Sequence, residues 1–146
     1  MVNPSAVPGL TRRVGVAAVA GVAGGIVMGM PMAMMGMLPM IGGLVGSDSA
    51  VTGGIVHMVI SAIIGAIYGL AIGGPAATYA NGWWMGLAYG VIWWVLGPLL
   101  IMPGMMGMGP QFGMALSGPM LLSLVAHMMY GVVTGLAYPF LLARAR

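Results

Sequence analysis

The sequence predicts an all-α integral membrane protein whose four transmembrane helices form two hairpins of like orientation, related by a pseudo-two-fold axis along the membrane normal. Three observations point there. Of 146 residues, 61% are hydrophobic and 3% charged, whereas a soluble domain carries about 25% charged residues. The apolar residues gather into runs near the length of about 20 residues that a helix needs to cross a bilayer. The chain also repeats itself. Met34-Met35-Gly36-Met37-Leu38-Pro39 returns as Met105-Met106-Gly107-Met108-Gly109-Pro110 at an offset of 71 (105 − 34). Beyond it Ser47, His57-Met58, Gly65 and Tyr68 return as Ser117, His127-Met128, Gly135 and Tyr138 at an offset of 70 (127 − 57). A repeat made of two spans leaves and re-enters on one side, so both copies face the same way and the axis between them runs along the normal.

Residues 1–13 read as a polar cytoplasmic lead with Pro4, Pro8 and the pair Arg12-Arg13. That pair before an apolar stretch has the form of a secretory or twin-arginine signal. The stretch runs on into the first MMGM-x-P motif, however, and cleavage would delete part of a repeat, so retention is expected. The first repeat, 14–73, holds a span over about 14–38 and another over about 50–72. In the first span Gly21, Gly25 and Gly29 fall four apart and form one smooth face for close helix approach, while Pro31 is expected to interrupt its outer part. Ser47-Asp48-Ser49 supplies helix-capping side chains ahead of the second span, whose Gly65, Gly69 and Gly73 again fall four apart.

A loop over 74–82, from Gly74-Pro75 to Asn81-Gly82, leads to the second repeat, 83–142. Its spans cover about 83–108 and 118–142. The first carries Gly82, Gly86 and Gly90 on one face and breaks at Pro98 and Pro103. Trp83-Trp84 suits an interfacial belt, and Trp93-Trp94 lies about 15 Å further along the helix. The second starts at Ser117-Gly118-Pro119, a capping residue followed by a first-turn proline. Residues 143–146 form a tail. Arg12, Arg13, Arg144 and Arg146 all flank the membrane on the side of the two termini, which makes that side cytoplasmic and the Met-rich helix ends extracytoplasmic. The net charge of +3 therefore reads as topology and not as a nucleic-acid surface.

Chemistry is sparse. The chain has no cysteine and no lysine, and its single acid, Asp48, lies in a loop. Thiolate sites, Schiff bases, carboxylate relays and phosphate loops are thereby excluded, and no enzymatic activity is expected. The candidates are His57 and His127, the only two histidines, one at the same place in each repeat. Ionisable groups inside a membrane are functional hypotheses by default. Around His57 the residues at −4, +4 and +8 are Gly53, Ser61 and Gly65, and around His127 they are Ser123, Gly131 and Gly135. Steps of four stay on one helical face, so each imidazole stands in a stripe of small residues. Such a stripe admits either a neighbouring helix or a ligand between the rings.

Three functions follow. Thioether sulfur selects Cu(I) and imidazole also suits copper. Met34, Met35, Met37, Met105, Met106 and Met108 would then form an outer ladder leading to a His57/His127 pair that binds or passes Cu(I). Alternatively the two imidazoles are the axial ligands of a b-type haem, with Trp93 or Trp94 and Tyr130 against the macrocycle; no arginine lies on the outer side to hold its propionates. In the third reading there is no cofactor, and the chain is a small scaffold or accessory subunit of a larger membrane complex, its glycine faces docking partner helices. Homo-oligomers or a larger complex are the expected partners, together with the lipid bilayer, and neither nucleotide nor nucleic acid.

Overall fold

The computed structural model describes residues 8–145; Pro4 and most of the lead, and Arg146 of the tail, lie outside the described residues. Among the described residues every regular element is helical, and four helices are long and apolar enough to cross a membrane. The chain runs α1 (Leu10–Met34), α2 (Leu38–Gly42), α3 (Ala50–Ala71), α4 (Tyr79–Leu96), α5 (Met102–Met105) and α6 (Gly118–Arg144). A π-helical turn at Gly97–Ile101 joins α4 to α5, so that Tyr79–Met105 makes one span of 27 residues.

Side-chain caps set two helix starts among the described residues, and Ser117, the N-cap of α6, makes no such bond. The Ser49 hydroxyl accepts from the Thr52 N–H at 3.4 Å to open α3, and Thr78 accepts from the Asn81 N–H at 3.3 Å to open α4. Because Thr78 is the cap, α4 begins before the Asn81-Gly82 pair that the sequence places in the loop. Pro119 falls in the first turn of α6, where a missing N–H costs nothing. Arg12 and Arg13 belong to the first turns of α1 and not to the lead. Pro31 does not stop α1, which continues to Met34; in the third span the prolines coincide with the π turn and with the start of α5.

The MMGM-x-P repeat is a helix stop used twice. In the first copy the Met37 N–H reaches the Met32 carbonyl at 2.9 Å and the Gly36 N–H reaches Ala33 at 3.1 Å. In the second, Met108 reaches Pro103 at 2.8 Å and Gly107 reaches Gly104 at 3.2 Å. This pair of bonds is the Schellman ending, which needs a left-handed residue just past the helix. Gly36 at φ 66° and Gly107 at φ 74° supply it.

Each hairpin is held by near contact of backbones. In the first, a Cβ on Gly65 would overlap the Ala17 carbonyl and lie 2.7 Å from the Gly21 Cα; one on Gly25 would overlap Ser61. In the second, a Cβ on Gly82, Gly86 or Gly90 would overlap the carbonyls of Gly135, Gly131 or His127. A third close approach joins the hairpins, since Gly24 of α1 lies against Tyr130 and Thr134 of α6. Ala17 and Gly21 thus take the places of Gly82 and Gly86 at an offset of 65 (86 − 21), whereas the Met motif repeats at 71. The hairpins agree around their glycine contacts. The outer arm of the third span is six residues longer (71 − 65), and it holds Trp93, Trp94 and the π turn.

The buried core gathers Tyr68, Tyr89, Tyr130 and Tyr138 with Ala17, Ala20, Ala76 and Leu142. Tyr68 meets Tyr89 and Tyr138 edge to face at 5.1 and 5.8 Å between ring centroids, the arrangement that aromatic quadrupoles favour.

Candidate functional site

Equal positions in the two repeats do not give the two histidines equal surroundings. His57 is 7% exposed and lies over Gly29 of α1, where a Cβ would come within 3.3 Å of its ring. Its Nε2 lies 2.8 Å from the Gly25 carbonyl. A carbonyl only accepts, so Nε2 carries the hydrogen and Nδ1 the lone pair. His127 instead turns back on its own helix: Nδ1 is 2.8 Å from the Ser123 carbonyl and donates to it. Its lone pair falls on Nε2, which lies 3.9 Å from where a Cβ on Gly97 would stand, at the start of the π turn. The His127 backbone carbonyl, and not its ring, abuts Gly90.

The small residues flanking both histidines are filled by helix backbone. Gly53 faces the Leu38 carbonyl, Ser61 faces Gly25, Gly65 faces Gly21, and Gly131 and Gly135 face Gly86 and Gly82. Of the two uses open to such a stripe, helix contact is the one these positions serve. The aromatic side chains considered for a macrocycle are also engaged: Trp94 Nε1 donates to the Met120 carbonyl at 3.0 Å, and the Tyr130 hydroxyl donates to Ser61 at 2.8 Å.

The methionines of the outer ladder lie at the surface. Met34 and Met105 are 88% and 62% exposed; Met35, Met106 and Met108 are exposed and Met37 half-buried. Met34 follows Gly25 by nine residues and Met105 follows Gly90 by fifteen, a difference of about 9 Å along a helix. Of the other methionines, Met32 is buried, and the Met58 Cε lies 3.0 Å from a Cβ placed on Gly25, whose carbonyl His57 bonds. Among the described residues no three or more His, Cys, Asp or Glu side chains form a metal-binding group.

Sequence reasoning gave no role to the tyrosine hydroxyls. Tyr68 donates to the Gly82 carbonyl at 3.4 Å, Tyr89 to Ile64 at 2.5 Å and Tyr138 to Gly73 at 2.9 Å. With Tyr130, they link one hairpin to the other through main-chain acceptors. A signal was present: Tyr68 and Tyr138 follow the histidines by eleven residues, three turns along the same stripe.

No family model matches this chain, and neither does any curated protein or solved structure. Fold and composition define it as a helical protein with four candidate membrane-crossing helices.

Proposed function

We propose that this chain is a small, non-enzymatic membrane subunit that works through the helix faces it presents to the bilayer and to partner helices. One observation carries this reading: six polar side chains of its interior are tied to the backbone of a neighbouring segment, although the buried Thr134 hydroxyl has no partner among the described residues. His57, Tyr68, Tyr89, Tyr130, Tyr138 and Trp94 each donate to a carbonyl outside their own helix. Such bonds hold four helices in one arrangement and give a rigid body with apolar outer faces. On α3 that face is Val51, Ile55, Val59 and Ile63, each more than half exposed and spaced by four. Both termini are cytoplasmic in this reading, on the strength of the arginines.

A second reading retains a specific feature in its favour. A metal-ligating histidine usually donates its other ring N–H to a carbonyl, which fixes ring and tautomer. His57 and His127 both make such a bond, leaving Nδ1 of one and Nε2 of the other as the nitrogens available to Cu(I) or to haem iron.

Photo-crosslinking from Ile55 and Ile63 in native membranes separates the two. A packing subunit gives a discrete cross-linked protein product from this face. Cross-links to lipid alone, in preparations that hold one copper or iron per chain, would replace the first reading with the second.

A further inference from the structure

We propose that the groove between the first turns of α1 and the last turn of α6 binds an anionic phospholipid, with Arg12 and Arg144 at its phosphate and an acyl chain along Val16, Val19 and Leu141. The groove has a volume of about 270 Å³ and is lined by Val16, Val19, Leu141, Arg144 and Ala145. Arg12 precedes Val16 by four residues and so shares its face. Its Nη2 donates to the Leu142 carbonyl at 2.6 Å, which fixes it against the α6 wall. The Arg144 guanidinium stacks on the Phe140 ring, 3.5 Å from its centroid.

Among the described residues no acidic side chain pairs with these cations. The single acid of the chain, Asp48, precedes α3 at the opposite end of the spans. The Nε atoms of Arg12 and Arg13 are buried without a hydrogen-bond partner among the described residues. Both arginines also sit in the first turns of α1, where the helix dipole favours an anion and disfavours a cation. Gly9, the N-cap, offers no side chain to the free amides there. One phosphate group answers the unbalanced charge and the open helix end. The lining chooses its source: an apolar trough opening from a basic rim, at the depth where a span meets headgroups, fits a lipid better than an ion from solution. Basic pockets between helices on the cytoplasmic side take anionic headgroups in this way.

The test is native mass spectrometry of the full chain in mild detergent, with phosphatidylglycerol, chain-matched phosphatidylcholine and inorganic phosphate as probes. Phosphatidylglycerol should be retained over phosphatidylcholine, and Arg144→Gln should weaken its retention about five-fold, the effect of one surface arginine on an anionic lipid. Arg144→Lys should keep most of it. Arg12→Gln should act alike, and because Arg144 is exposed, its variants carry the test if loss of the Arg12 bond to Leu142 impairs folding. Equal retention of the two lipids, or phosphatidylglycerol binding unchanged by Arg144→Gln, would overturn the proposal. Displacement of the lipid by an equal concentration of inorganic phosphate would overturn it too, making the groove a free-anion site.

Discussion

At the scale of residues, the two histidines are equivalent in sequence and unequal in what they hold. His57 ties α3 to α1 through the Gly25 carbonyl, while His127 bonds within α6. Truncating His57 removes a cross-helix bond and leaves a void against Gly29, so His57→Ala should cost about 2 kcal/mol. For His127→Ala about half of that is expected. Reversible unfolding in mixed micelles measures both, and equal losses would argue for a shared ligand instead. The tyrosine hydroxyls give a second check. Tyr130→Phe deletes only the donor to Ser61 and should cost about 0.6–1 kcal/mol, whereas Tyr79→Phe, at an exposed ring, should change nothing in the same assay. The histidines stood out in the sequence because they are the only two. Their partners did not, because backbone carbonyls carry no sequence signature.

At the scale of elements, glycine contacts govern how closely the helices approach. Gly65→Ala would drive a methyl group into the Ala17 carbonyl and should cost about 2–3 kcal/mol. A Cβ on Gly15 would meet nothing within 4 Å, so Gly15→Ala should gain about 0.5–1 kcal/mol from helix propensity alone. Thermal denaturation in detergent, read by far-UV circular dichroism, distinguishes the two signs. Gly36→Ala and Gly107→Ala should each cost about 1 kcal/mol by the same measurement, because both positions are left-handed. The four spans and the glycine faces were legible from length, hydropathy and spacing of four. The meaning of MMGM-x-P was not. Its methionines drew attention as soft ligands, while the structural content lies in the glycine that ends each helix. The six-residue extension of the third span was also hidden, since a motif offset of 71 aligns helix ends and says nothing of which glycines meet.

At the scale of the whole molecule, four arginines near the chain ends set the expected orientation, and the absence of cysteine from the sequence makes it simple to check. A cysteine introduced at Ser47 should react with a membrane-impermeant maleimide from outside intact cells, and one at Ala145 only after the membrane is opened. The reverse pattern would invert the topology and move the arginine groove away from the cytoplasmic leaflet.

The packing role assigned to His57 and His127 meets its most direct test in the copper and iron content of the protein, purified from its native membrane in mild detergent. Packing predicts far less than one metal ion per chain, and no change on replacing both histidines with alanine. Near-stoichiometric copper lost in that double variant would contradict it and restore the methionine–histidine site. Near-stoichiometric iron, lost likewise, would contradict it in favour of haem.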